Sequence, residues 1–257
     1  MSIDFAYAQA RAQARLGERL SETGWRVLES TLGLPHYLAS VRNTALAPLV
    51  QHFSTTVSTR AVERTLRDDW RAEVAAVSRW VPESWSSAVA WCAWLPYLDA
   101  LASLMRGRTA LAWMQADTVL AAVALNDLAA RPVAIASAPF GELANGDPDE
   151  GLRARWFDRF TERCPQAGSE EGANLELLVA GVRRYQAAIE PRGVSPGKRR
   201  DARKRLDALA MGLVHRRAEE PVAVFSYLAL VALDLQRLRD GILRRALFRD
   251  EPGELVA

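Results

Sequence analysis

Apolar side chains recur every three or four residues along almost the whole chain, and alternating apolar and polar runs of strand length between turn residues are missing. The periodicity predicts an all-α fold. Helices are predicted near 3–20, 22–32, 35–51, 58–80, 82–106, 109–130, 148–163, 169–190, 198–218 and 221–248. Pro35, Pro82 and Pro148 stand at first-helical positions, where the missing N–H costs nothing. Asp147 precedes Pro148 as a cap, with Asp149 and Glu150 in the first turn.

The last predicted helix has the cleanest pattern. Val224, Leu228, Val231, Leu235, Leu238 and Ile242 form a continuous stripe, and Asp234 with Arg237 and Asp240 with Arg244 are spaced for pairing on the opposite side. The first helix differs in kind. Ala6, Ala10, Ala14 and Gly17 make a ridge of small residues that would admit a close neighbour, while Phe5, Ala12, Leu16 and Leu20 supply an apolar side. Asp4, Tyr7, Arg11 and Arg15 share a third face, where the guanidinium groups need carboxylates or water. Turn-forming residues at 131–147, 164–169 and 190–197 divide the chain without supplying a long linker. The predicted organisation is a first helical part over 1–130 and a second over 131–257, folding as one cooperative chain with helix 221–248 packing back toward the N-terminal helix.

Composition narrows the function classes. The 257 residues are 49% hydrophobic and 25% charged, which fits a folded globular chain. Thirty-three basic and thirty-one acidic residues give +2, too little for a general attraction to polyanions. Lys198 and Lys204 are the only lysines, so Arg carries nearly all the positive charge. Cys92 and Cys164 stand apart with no CxxC, which points to neither a disulfide framework nor a zinc site and fits a reducing compartment. No secretory signal and no apolar run of about 18 residues is read from the pattern, so the chain is expected beside a membrane rather than through one.

An enzyme would need a nucleophile with its base, or a metal or phosphate site. His36, His52 and His215 are isolated, the glycines form no phosphate-binding loop, and Asp68, Asp69 and Asp99 after Glu63 make an incomplete carboxylate set. The chain is therefore read as non-enzymatic, with no metal, no cofactor and no small-molecule substrate. The densest charge lies at 192–217, where Lys198, Arg199, Arg200, Arg203 and Lys204 form a candidate contact for an anionic surface. Nucleic acid is disfavoured there by the lack of interleaved aromatics. Trp80, Trp85, Trp91, Trp94 and Trp113 crowd into one region, as core anchors or as an interface.

Two segments carry a family resemblance. Asp4-Phe5-Ala6-Tyr7, then Ala10-Arg11, Arg15, Gly17 and Leu20, is similar to the opening helix of the C subunit of V-type ATPases, called the d subunit in eukaryotes. Pro221 followed by Tyr227, Asp234, Leu235, Arg237 and Arg239 resembles that family's final helix. Between them, Trp94-Leu95-Pro96-Tyr97-Leu98-Asp99-Ala100-Leu101 leading to Leu104-Met105-Arg106-Gly107 resembles the end of its first lobe, with the usual Asn absent and Pro96 in a helical place. The chain is shorter than the family's three-lobe length.

The resemblance implies a helical funnel shortened in the middle. It would act as a non-catalytic rotor adaptor of a bacterial V-type ATPase or ATP synthase, coupling the central-stalk subunits to the membrane rotor ring during proton or sodium transport. That position is cytoplasmic and peripheral to the inner membrane. Arg11, Arg15, Arg237 and Arg239 are the matching charged positions, implied to line or brace the funnel interior. The alternative is a stand-alone helical interaction or nucleic-acid-binding protein that uses the basic 192–217 segment.

Overall fold

Helical spacing of apolar residues becomes helix wherever nothing local competes with the backbone ladder. The computed structural model describes residues 5–145, 151–165, 169–190 and 194–247; all of its regular structure is helical. Asp4 and the predicted cap and helix start at Asp147 and Pro148 lie outside the described residues. The α-helices in chain order are α1 Ala6–Gly17, α2 Glu22–Ser30, α3 Leu34–Arg42, α4 Ala47–Val50, α5 Thr59–Ser78, α6 Glu83–Trp91, α7 Leu98–Met105, α8 Ala112–Gln115, α9 Arg131–Ala136, α10 Leu152–Arg163, α11 Ser169–Ile189, α12 Pro196–Arg216 and α13 Pro221–Leu247. Short 3₁₀ turns cover Cys92–Tyr97 and Gly141–Ala144.

Several predicted helices are shorter or broken, each for a local reason. The helix expected over 35–51 ends at Arg42, where the Thr44 hydroxyl donates to the Val41 carbonyl (2.7 Å) and accepts from the Leu46 N–H (3.2 Å), turning the chain into α4. That expected over 82–106 changes to the tighter 3₁₀ winding around Pro96, which has no N–H to give the ladder. The helix expected over 109–130 is largely absent. Asp117 Oδ1 accepts from the N–H groups of Val119 (2.9 Å) and Leu120 (3.3 Å), and Asp127 Oδ1 does the same for Ala129 (2.8 Å), so these side chains take donors that a helix would have used. The buried guanidinium of Arg131 then gathers the carbonyls of Leu104 (3.3 Å), Arg108 (2.7 Å) and Leu125 (3.1 Å) and holds the irregular stretch in place.

The chain divides into two compact units, Met1–Glu73 with Ser169–Ala257, and Val74–Gly168. The expected division at residue 130 falls inside the second of these. The first unit takes helices from both chain ends because α13 packs along α11, α12, α1 and α3. In the second unit α6 and α10 are joined by a reciprocal pair: Trp91 Nε1 donates to the Trp156 carbonyl (3.1 Å) and Trp156 Nε1 to the Trp91 carbonyl (3.3 Å). Trp156 stacks on Phe160 at 5.5 Å, and Arg163 lies 3.9 Å over the Trp91 ring. Trp80, Trp85 and Trp91 are buried and Trp94 and Trp113 half-buried, so the tryptophan-rich region is core.

Glu83–Met105 and Pro221–Leu247 are long and apolar enough to cross a membrane by length and composition, where no such stretch was expected. The apolar windows are 50% and 67% buried within the protein. α13 is buried on more than its stripe: Asp234, Arg237 and Arg245 are interior as well, so of the polar side predicted for it Asp240 and Arg244 are exposed while Asp234 and Arg237 are not. On α1 the buried residues are Ala8, Gln9 and Ala12, with Phe5 buried just before it, while Ala10, Ala14 and Gly17 of the expected small ridge are exposed.

At the α3–α13 crossing Gly241 touches Tyr37 so closely that an added Cβ would lie 2.2 Å from its hydroxyl oxygen and 2.7 Å from Cζ. Tyr37 is buried and cannot swing away. Gly241→Ala is therefore predicted to cost about 1–3 kcal/mol and to lower the Tm by roughly 3–10 °C. Thermal unfolding followed by circular dichroism measures it, with Gly197→Ala, which meets nothing within 4 Å, as the neutral comparison.

Candidate functional site: an arginine clamp between the terminal helices

Four guanidinium groups tie the N-terminal helices to the C-terminal ones within the first unit. Arg19, just beyond α1, grips Asp234 of α13 with both arms of its fork, Nε to Oδ2 at 2.6 Å and Nη2 to Oδ1 at 2.9 Å. The same Nη2 reaches Asp207 of α12 at 2.5 Å. The Arg19 and Asp234 side chains are only 17% and 11% exposed. Burial pushes the Asp234 carboxyl above its ordinary range, against the opposing pull of Arg19.

One helical turn along α13, Arg237 donates to Glu29 Oε1 (2.5 Å) and to Glu22 Oε2 (2.7 Å), and its plane sits 4.7 Å over the Trp25 ring. Arg237's hydrogen bond holds Glu22 below its ordinary range. Burial alone would raise Glu29, but hydrogen bonding and charge from Arg237 outweigh it and leave that group lowered too. Arg239 is bound twice by Glu63 of α5, once at 2.8 Å, and by Asp240 at 3.1 Å. Tyr227 donates to Glu73 Oε1 at 2.6 Å, and the other oxygen of Glu73 pairs with Arg15. Arg245 covers the carbonyls at the end of α2, bonding those of Leu28 (3.2 Å), Glu29 (3.0 Å) and Thr31 (3.0 Å), where a cation also meets the negative helix end.

The structure thus places Arg15, Arg237 and Arg239 in ion pairs within the unit, and Arg11 exposed on α1 with its guanidinium 6.0 Å from the Tyr7 ring. The intrahelical partners expected for α13 are replaced. Asp234 turns to Arg19 and Arg237 to α2, because both side chains point into the unit rather than to water. Arg19, Glu22, Glu29, Glu73 and Arg245 were not singled out from sequence, and Glu63 entered it only beside Asp68 and Asp69 in an incomplete carboxylate set. A signal existed for three of them: Arg19 continues the four-residue spacing of Arg11 and Arg15, and Glu22 and Glu29 are seven apart, on one face of α2.

The remaining candidates lie elsewhere. Lys198, Arg199, Arg200 and Lys204 are exposed and Arg203 is half-buried. His36, His52 and His215 are exposed and apart. Asp99 belongs to the second unit, where Arg153 binds it at 2.9 Å. Asp69 is half-buried, its carboxyl pushed up by burial and by Asp68 beside it. Cys92 is a buried thiol and Cys164 a half-buried one pushed up to about 12 by burial. Among the described residues no three His, Cys, Asp or Glu side chains are grouped so as to hold a metal ion.

Removing Arg19 leaves Asp234 charged and buried without its fork. Arg19→Ala should cost about 3–5 kcal/mol in denaturant unfolding, and adding Asp234→Ala should return part of that loss, giving a coupling above about 1 kcal/mol. Acid sensitivity follows from Glu22 and Glu29. Their folded values lie below the unfolded one, so the stability they contribute is complete above about pH 4.5 and is lost as pH falls through the folded values. Asp234, shifted upward, acts in the opposite sense. The fall in Tm between pH 5 and pH 3 should be smaller in the Glu22→Gln/Glu29→Gln variant than in the unaltered chain.

Comparison with family models, with curated proteins and with solved structures gives no match to this chain.

Proposed function

We propose that the protein is a non-catalytic coupling part, the central rotor adaptor of a V-type rotary ATPase or ATP synthase, standing between the stalk and the membrane ring on the cytoplasmic face. The reading rests on the resemblance of both chain ends to the C-subunit family of V-type ATPases. One structural observation carries it further: the residues that bear the resemblance meet. Arg15 of the opening helix and Tyr227 of the final helix share the carboxylate of Glu73, and Asp234 of the final helix is held by Arg19, just past the opening one.

Torque transfer by contact needs a part that does not shear between its first and last helices. Bidentate Arg–carboxylate pairs fix both distance and orientation. Arg15, Arg237 and Arg239 serve as braces in this account, and Arg11, like Arg15, is exposed to solvent. The helical unit itself needs no reaction chemistry for such work, since its role is geometric.

Purification of the tagged full chain from the cells that encode it tests the proposal. The expected result is recovery of stalk and membrane-ring proteins of a rotary ATPase, and deletion of the chain should abolish ATP-driven ion transport by those membranes while the catalytic head still hydrolyses ATP. Recovery of the chain without any component of a rotary ATPase contradicts the reading.

A further inference from the structure

The start of α12 carries more positive charge than the fold pairs closely. Ser195 caps the helix and Pro196 opens it, and the next two and a half turns hold six cations: Lys198, Arg199, Arg200, Arg203, Lys204 and Arg205. Cations are least favourable at this end of a helix, where the macrodipole is positive. Arg203 reaches Glu29 at 3.9 Å; the other five form no ion pair or side-chain hydrogen bond among the described residues. Nearby carboxylates are already engaged, Glu22 and Glu29 by Arg237, Asp240 by Arg239 and Asp207 by Arg19. Asp201 is the acidic residue within the cluster, and Glu22, Glu29 and Asp240 act on Lys204, Arg200 and Arg199 at longer range.

The cations also surround the helix. At about 100° per residue Lys198 and Arg205 share one side, Arg199 and Arg203 a second, and Arg200 and Lys204 a third. Residues 196–201 are all exposed, so the helix end stands clear of its neighbours, and burial begins at Leu206. A flat bilayer would meet one side of such a collar and find no apolar side to insert, because Leu206, Ala210, Leu213 and Val214 are buried. A nucleic acid would set a continuous row of phosphates against Asp201, Glu22 and Asp240, and residues 194–214 offer no aromatic ring for stacking. A mixed-sign surface with excess positive charge is matched best by a concave protein surface that presents carboxylates at discrete points.

We infer that the N-terminal turns of α12 are a docking element for an acidic cleft on a partner protein, gripped through Lys198, Arg199, Arg200, Lys204 and Arg205. The inference stands on this helix alone and holds whether or not the partner is part of a rotary motor.

The test places a photoreactive residue inside the collar without removing a cation, as Ala202→p-benzoylphenylalanine in the full chain in cells that produce it. Irradiation should give a nuclease-resistant adduct to a protein peptide rich in Asp and Glu. Adding Arg199→Glu, Arg200→Glu and Lys204→Glu should lower its yield about tenfold or more, and changing the adduct peptide's carboxylates to Lys should restore it. These three side chains are exposed and form no ion pair among the described residues, but reversal sets them against Glu22, Glu29 and Asp240, so the variant should lose some Tm while keeping the helical circular dichroism of the unaltered chain. A lipid or nucleic-acid adduct, a peptide without clustered carboxylates, no adduct, or a yield unmoved by charge reversal in a folded variant would each overturn the inference. An acidic peptide from a protein outside any rotary ATPase would sustain it while counting against the coupling reading.

Discussion

A guanidinium withdrawn from water has to find carboxylates at fixed distances, and the grip of Arg19 on Asp234 and Asp207 is the constraint around which the first unit is arranged. Asp234 sits in the middle of α13 and Asp207 in the middle of α12, so a single side chain at the exit of α1 sets the position of both. Pairs of this kind recover little net free energy after desolvation. Their effect is to make misaligned packings costly, since any slip strands a buried charge. Around that point Arg237, Arg239 and Arg245 extend the same logic to α2 and α5, and Gly241 lets Tyr37 come against α13.

This arrangement accounts for the Arg-rich composition in the interior. Arg19 and Arg237 each bind two carboxylates at once, and Arg237 and Arg245 also lie over aromatic rings, tasks for which a planar fork is suited and an ammonium is not. The exposed cations of α12 are a separate matter, since they form no close ion pair within the unit among the described residues. One set of basic residues builds the body, and the other is left for what the body meets.

Much of the helical content was legible in the chain. The stripe on α13, the proline-marked starts of α3 and α6 and the long helices α5, α11 and α12 follow from spacing alone. The stretch 109–130 did not, because its apolar spacing is helical while Asp117 and Asp127 bond the backbone ahead of them, a competition that periodicity does not register. The division into units was hidden for a different reason. Which helices share a core depends on contacts such as Arg15 with Glu73 and Arg237 with Glu22, between residues far apart in sequence, and for Arg237 the local spacing pointed to Asp234 instead.

The claim that α1 and α13 belong to one rigid body is tested most directly by native-state hydrogen exchange. If the clamp works as described, the slow amides of α1 and of α13 open together, with a common opening free energy equal to that of global unfolding. Exchange of the α1 amides through local fraying, well before α13 opens, would contradict it.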